Sequence, residues 1–361
     1  MHSVDRHEVR LKPTDAGEAP PRPEYFDHRY VLPLHRVKFL EQQNVHPRDA
    51  RCVFYEEPHI YEIDGHPAQC SVSGLIHPFE SEFEPSHGIS AMKRSKSSAW
   101  PRLGYVHNAR RIDRVDAFAT PNTGALLVHA KDGTTVASLD VGAIVGEEGI
   151  VVLMMLRDAA TKPIKEAEEE WYVFDRAMTD LEICQKWEAN GEEARNRGTE
   201  AHLQMELWFN SEPTRLDDPE VGVGLQFVRD CLEPIGAKAY RTEWVIFGDE
   251  ENVAGCIDLA VELPSGDLYL IDWKRSEKLK KKMKGYSRMA APFTHLDDCS
   301  GCAYAVQLSS YQYIIEKYYG KRVAGRALAS IHPTAPFTTT VPYLANEVEY
   351  LMARRRAEHG T

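Results

Sequence analysis

The sequence predicts an α+β protein with one mixed β-sheet flanked by helices, in the order helix, three antiparallel strands, helix, strand. Three observations predict it. The segment 252–276, NVAGCIDLAVELPSGDLYLIDWKRS, carries two runs rich in Val, Ile, Leu and Tyr on either side of Pro264, Ser265, Gly266 and Asp267, and so reads as a β-hairpin. Another strand-like run at residues 240–247 stands just ahead of it, after helical patterns. Beyond it, a helical pattern at 304–319 leads to a last strand pattern at 323–331.

Along the chain, residues 1–50 are Pro-rich and charged with little periodicity, which predicts a loose, partly disordered segment. Residues 51–160 read as a β-rich N-terminal extension of unknown role. Short strands are expected over 52–76, with Ile63-Asp64-Gly65-His66 as a hairpin turn. Further strand-like pieces at 125–129, 135–139 and 149–156 are separated by Asn-Thr-Gly, Asp-Gly and Glu-Glu-Gly turns. From Lys162 the pattern turns helical, with Trp171, Phe174, Met178, Leu181 and Trp187 among acids and alanines, until Asn190-Gly191 breaks it. A second helix at about 192–210 carries Ala201, Met205, Leu207, Trp208 and Phe209, and after a Pro/Asp-rich break residues 222–232 form another. Residues 161–361 thus hold the predicted core domain.

The 361 residues are 43% hydrophobic and 27% charged, ordinary for a soluble globular protein. The longest apolar stretch, 149–156, is far below the roughly 20 residues that a membrane span needs, so no transmembrane segment and no membrane partner are expected. The first 25 residues mix acids, bases and prolines without an apolar region, unlike a signal peptide. An intracellular setting, cytoplasmic or nuclear, is the expectation, and seven cysteines in a long chain read as reduced thiols. The net charge of −12 opposes nucleic-acid binding at long range. It is unevenly spread: residues 274–288, KRSEKLKKKMKGYSR, hold eight Lys or Arg against one Glu. A smaller cluster, Lys93, Arg94, Lys96 and Arg102, encloses Trp100. Both are candidates for a phosphate-tracking groove. A lysine run is equally a solvated loop when taken alone.

Strand alternation gives the hairpin its chemistry. Leu268, Leu270, Asp272 and Lys274 share one face, and Tyr269, Ile271 and Trp273 the other. A loop over 263–267 pairs Glu262 with Leu268 and brings Asp258 opposite Asp272, with Cβ atoms about 5 Å apart. Two carboxylates that close repel unless a cation lies between them, and a hard divalent ion takes carboxylate oxygens.

Five elements then stand in a familiar order: Gly198-Thr199-Glu200-Ala201-His202 on a helix, Glu243 on a strand, Gly255-Cys256-Ile257-Asp258 on the next, Asp272-Trp273-Lys274 on the third, and Gln307-Leu308-Ser309-Ser310-Tyr311 on the following helix. Over residues 190–332 the chain resembles the PD-(D/E)XK nuclease superfamily, and within it the RecB-like branch of exonucleases. The resemblance implies a restriction-endonuclease-like fold, with residues 161–361 as the nuclease domain. It implies Asp258, Asp272 and the Trp273 backbone carbonyl as metal ligands, with His202 adding a nitrogen. It implies that Lys274 orients the attacking water or stabilises charge on the phosphate, and that Glu243 approaches the metal or Lys274. Gln307 and Tyr311, one turn apart, would face the active site and DNA, and Lys278 and Lys281 would hold substrate. Residues 59–65 with Ser71-Val72-Ser73 loosely resemble segments ahead of the core in viral and phage-type relatives. His202 and Glu206, four apart, share a helix side. Each residue alone has an ordinary alternative: a surface histidine, a solvated Glu206 or Glu243, a strand-end Lys274, a core Tyr311.

The cofactor expected is Mg2+ or Mn2+, with one or two ions both compatible. Some RecB-like nucleases hold an iron-sulfur cluster with cysteines on both sides of the core; here Cys299 and Cys302 have no cysteine after them, so no cluster is expected. With His295 they are three candidate zinc ligands. There is no Walker A sequence, so any motor activity is expected from a helicase or other replication or recombination partner. The function expected is a metal-dependent deoxyribonuclease, an exonuclease on DNA ends or single strands, acting in DNA repair, recombination or replication. The alternatives are an RNA endonuclease with the same site and a non-catalytic nucleic-acid-binding module. Oligomeric state, including a ring, stays open.

Overall fold

The computed structural model describes residues 38–55, 59–95, 100–108, 110–119, 124–130, 135–140, 171–173 and 176–359, with backbone alone for those from 110 to 173. In order they form helix α1 (Phe39–Gln43), strands β1 (Cys52–Tyr55), β2 (Ile60–Ile63), β3 (His66–Pro67) and β4 (Cys70–Ser71), and helix α2 (Pro85–Lys93). Strands β5 (Arg110–Ala119), β6 (Gly124–Ala130), β7 (Thr135–Asp140) and β8 (Trp171–Val173) follow, then helices α3 (Asp180–Phe209) and α4 (Pro219–Phe227). Strands β9 (Lys238–Gly248), β10 (Val253–Glu262) and β11 (Leu268–Lys274) precede helices α5 (Leu279–Lys282) and α6 (Ser300–Ile314). The chain ends in β12 (Val323–Ser330), β13 (Phe337–Thr340) and α7 (Ala345–His359). Among the described residues no helix is long and apolar enough to cross a membrane.

Two compact units result: one takes the described residues up to Ser81 and from Ala194 onward, the other spans Glu82–Glu193. The divisions expected near residues 50 and 160 do not coincide with them, because β1 to β4 and α1 are built into the first unit. Of the segment expected to be loose, residues 1–37 lie outside the described residues. The rest is anchored: Arg241 pairs with Asp49 at 2.8 Å, and the Arg48 guanidinium lies 3.9 Å over the Phe247 ring.

The first unit is α+β, as the sequence predicts, around a six-stranded mixed sheet in the order β13-β12-β11-β10-β4, with β9 also on β10. Strands β9 and β11 run antiparallel to β10, while β12 runs parallel to β11, with α6 between them in sequence. The hairpin register is the expected one, Glu262 opposite Leu268, closed by Leu263 N–H to Asp267 O at 2.9 Å with Gly266 at φ +83°. The sequence reading did not include β13, α7, or the parallel pairing of β4 with Val253 and Ala254 of β10.

Apolar residues fill both faces of this sheet. Leu268 and Leu270 pack in one cluster with Leu308 and Ile314 of α6 and Leu351 and Met352 of α7. Ile271 and Trp273, on the opposite face, pack with Ala201 and Met205 of α3 and Phe227 of α4, the Trp273 and Phe227 rings meeting edge-on at 5.3 Å.

Three helix expectations need correction. Trp171–Val173 is strand β8, paired with β5, and not part of a helix from Lys162, whose residues 162–170 lie outside the described set. Helix α3 runs unbroken through Asn190-Gly191. Thr179 and Glu182 form a capping box at its start: Glu182 N–H donates to Thr179 Oγ1 at 3.3 Å, and Thr179 N–H to Glu182 Oε2 at 2.8 Å. Each of its two interior glycines, Gly191 and Gly198, costs about 1 kcal/mol, too little to stop a 30-residue helix packed in its second half. Helix α4 starts at Pro219, three residues before the predicted Gly222, because Asp218 caps it by accepting from Glu220 N–H at 2.9 Å.

The second unit holds a four-stranded antiparallel sheet, β7-β6-β5-β8. Strands β6 and β7 cover the pieces expected at 125–129 and 135–139; the piece at 149–156 lies outside the described residues.

Candidate metal centre

Between β10 and β11 the ladder stops at Leu259 opposite Ile271, whereas β11 continues beside β12 as far as Lys274 opposite Ser330. On that side of β10 the next partner is β4, at Val253 and Ala254. Asp258 stands where the strands part. Its Oδ2 accepts the Trp273 N–H at 2.7 Å, so the carboxylate replaces the missing ladder bond and is held in place by it.

Three elements converge there. Helix α3 supplies His202, whose Nε2 lies 3.1 Å from the Trp273 carbonyl and whose Nδ1 lies 3.6 Å from Asp258 Oδ2. Strand β9 supplies Glu243, with Oε1 3.7 Å from the same Nδ1. Glu243 falls in register opposite Asp258, between the pairs Thr242 with Leu259 and Trp244 with Ile257, and has φ +42°. That backbone conformation is strained for a residue with a Cβ, by about 1–3 kcal/mol, and such strain collects at functional sites. His202, Glu243 and Asp258 are the one cluster of three His, Cys, Asp or Glu groups among the described residues with ligand atoms all within 4.8 Å.

The electrostatics are those of a charged site sunk into the fold. Burial works against charge on His202, but Asp258 and Glu243 outweigh it and hold the imidazole pKa at about 9. Burial lifts Asp258 to about 7; His202 and Lys274 pull it down, and Asp272 and Glu243 push it up. Burial also opposes charge on Glu243, yet His202 and Lys38 keep its carboxyl below the usual range.

Asp272 stands beside this cluster, 2% exposed, in an ion pair of 2.6 Å with Lys274. Burial disfavours the Lys274 ammonium, but Asp272 and Asp258 raise its pKa above the ordinary lysine value. Its Nζ lies 4.6 Å over the ring of Tyr304 on α6. Trp273 turns its indole into the core and offers only its backbone to the site.

Of the remaining predicted residues, Tyr311 lies close enough to Tyr61, Cys256 and Asp272 for them to add to the effect of burial in raising its pKa. Tyr311 is 3% exposed and packs so closely on β10 that a Cβ at Gly255 would sit 2.7 Å from its ring, which leaves it no free face for a substrate. Gln307 donates to the Tyr311 hydroxyl at 3.0 Å. Lys278 and Lys281 are exposed. Glu206 is buried and ion-paired with Lys38, so it is not a solvated acid. The zinc trio does not assemble: His295 Nε2 meets Glu347 at 2.6 Å, and with Cys299 and Cys302 it forms no ligand cluster among the described residues. In the other unit, Lys93 pairs with Asp180, while Lys96 lies outside the described residues.

Several site neighbours escaped the sequence reading. Lys38, just ahead of α1, is near enough to Glu206 and Glu243 for both to raise its pKa over the opposing effect of burial. Cys256 donates to Glu243 Oε2 at 3.1 Å, and its place two residues before Asp258 was a legible sign that both face one way. Tyr61 of β2 is buried close enough for burial, with Cys256, Glu243 and Asp258, to raise its pKa.

Imidazole nitrogen, two carboxylates and the adjacent Trp273 carbonyl form a donor set that fits a divalent cation such as Mg2+ or Mn2+. Burial, with Asp272 and Glu243 beside it, disfavours charge on Asp258, a cost that a cation there would offset. No protein-family model matches the chain, and no curated protein matches it. Among solved structures it is similar to one titled "Crystal structure of SSO0001", at 14% identity and a TM-score of 0.22, over 39% of this chain. The chain covers 57% of that structure's length.

Proposed function

We propose that the chain is a Mg2+- or Mn2+-dependent nuclease that hydrolyses DNA phosphodiesters at ends or in single strands. The site reads as that of the PD-(D/E)XK superfamily, RecB-like branch, on a restriction-endonuclease-like core. The observation that carries the reading is the convergence of His202, Glu243 and Asp258 from three elements onto the point where β10 and β11 part, with the Trp273 carbonyl and the Asp272–Lys274 pair beside it.

His202, Glu243, Asp258 and the Trp273 carbonyl would hold a divalent ion, which would supply positive charge at the scissile phosphate and lower the pKa of a water. The chain's own residues do the rest. Lys274 stays protonated and is aimed by Asp272 and the Tyr304 ring, so it can donate to a phosphate oxygen as negative charge grows there. Asp258 is pinned by the Trp273 amide, and Glu243 by Cys256, which fixes both carboxylates before substrate arrives. His202, held protonated by Asp258 and Glu243, would give up its proton to ligate a cation, so binding would be accompanied by proton release.

The test is degradation of end-labelled linear single-stranded and duplex DNA, circular DNA and RNA in Mg2+, Mn2+ or EDTA, beside Lys274→Ala and Asp258→Asn. The expected result is metal-dependent loss of DNA, reduced at least about a hundredfold in both variants, with circles spared if cleavage begins at ends. Cleavage of RNA in preference to DNA would replace the DNA reading, and no cleavage of any substrate would leave a binding module.

A further inference from the structure

Beyond β11 the chain carries an unbalanced positive strip. Lys278, Lys280, Lys281, Lys282 and Lys284 are all exposed and have no acidic partner among the described residues. This sets them apart from Lys38, Lys93, Lys274, Lys317 and Lys321, each of which is ion-paired. Glu277 is the one acid within the run 274–288, against eight Lys or Arg, and two acids further along the chain have partners. Asp297 pairs with Arg288 at 2.6 Å and accepts the Gly285 N–H at 3.2 Å, and Asp298 accepts the Ser81 N–H at 3.2 Å.

Within this strip Tyr286 is fully exposed, at 110%, yet its backbone is firmly mounted. Gly285 approaches Asp298 so closely that a Cβ there would lie 2.7 Å from the Asp298 carbonyl. Asp298 N–H donates to Ser287 O at 2.9 Å, and Met289 N–H to Leu296 O at 3.2 Å. Leu279, Met289 and Phe293 sink into the core at 1 to 2% exposure and hold the strip at both ends. An aromatic ring in full contact with water, on a braced loop amid uncompensated cations, is placed to meet a ligand that is both flat and anionic.

The strip also borders the candidate site. Gly301, in the first turn of α6, lies against it so tightly that a Cβ would fall 2.6 Å from Met283 Cα. Tyr304, three residues further along the same helix, carries Lys274 on its ring.

We infer that residues 278–288 form a clamp for single-stranded nucleic acid, in which Tyr286 stacks on an unpaired base and the lysines follow the phosphates. The clamp rests on the nuclease reading only for its place beside a scissile bond. Stacking needs an unpaired base, since the faces of bases within a duplex are covered by their neighbours, so the clamp selects single strands, whereas lysines alone attract both forms.

Fluorescence anisotropy in EDTA, where metal-dependent cleavage is off, tests it with a labelled single strand of about 12 nucleotides as DNA and as RNA, and with a blunt two-strand duplex that has no unpaired base. Tyr286→Ala should weaken single-strand binding roughly ten- to a hundredfold and duplex binding by no more than about twofold, with Tyr286→Phe close to wild type. Tyr286→Trp should show indole quenching on adding the single strand. Lys280→Ala with Lys282→Ala should flatten the salt dependence, by about 0.7 per lost phosphate contact. The DNA and RNA arms show which strand the clamp prefers. Equal weakening of single strand and duplex by Tyr286→Ala, unchanged single-strand binding, or no binding by wild type would overturn the inference. Selective binding by a protein that cuts nothing would keep the clamp and remove the nuclease.

Discussion

Glu243 and Asp258 face each other across two strands with His202 as the cation between them, and the fold tolerates this with Glu243 at φ +42°. Such an arrangement trades stability for a function. Asn at position 258 keeps an oxygen for the Trp273 N–H and removes a charge that burial, with Asp272 and Glu243, disfavours more than His202 and Lys274 favour it. Asp258→Asn is therefore expected to melt at or above the wild-type temperature in EDTA at pH 8 while losing cleavage; a melting point several degrees lower would mean that the carboxylate serves the fold. Much of this was legible at residue level. Asp272 and Lys274 share a face by strand period alone, and the hairpin loop fixed Asp258 near them. The place of Tyr311 was not legible, because a spacing of four puts it on the side of Gln307 without saying which side is buried.

At the level of elements, the site depends on how α3, α4 and the end of β11 are tied together. Glu220, 1% exposed in the first turn of α4, meets Arg197 of α3 at 2.6 Å and Arg275, just past β11, at 2.9 Å. Burial opposes its charge, but the two arginines outweigh it and hold the carboxyl at about 2, below its ordinary 4.5. A depressed acid binds protons less in the folded state, so this contribution is present in full above pH 4.5 and is lost as pH falls towards 2. Glu220→Gln is expected to destabilise by about 2 kcal/mol in urea unfolding at pH 7, with the difference from wild type shrinking towards pH 2. A difference independent of pH would assign the loss to packing. Gly301→Ala must move Met283, since 2.6 Å to a backbone atom leaves no room, and the lysine strip moves with it. It should weaken nucleic-acid binding in anisotropy and leave metal binding intact. The capping box at Thr179 and Glu182 and the cap at Asp218 were readable in the sequence as helix starts. The persistence of α3 through Gly191 was not, because packing of Ala201 and Met205 outweighs a local break signal.

For the whole molecule, the long-range contacts were the least legible part of the sequence. Lys38 reaches Glu206, and β4 joins β10, across well over a hundred residues, and no local pattern encodes either pairing. The same distance effect hides the division into two units, in which β4 returns to a sheet otherwise built from residues after 237, while β1, β2 and β3 form a three-stranded sheet of their own. In a chain of net charge −12, five exposed lysines without an acidic partner among the described residues fall within residues 278–284, a local charge opposite to that of the whole. The central claim is that His202, Glu243 and Asp258 hold a divalent cation. Isothermal titration with Mn2+ tests it most directly. The expected result is one saturable site in the wild type, lost in Asp258→Asn and His202→Ala and kept in Lys274→Ala. Equal Mn2+ binding by wild type and Asp258→Asn, or none by wild type, would contradict it.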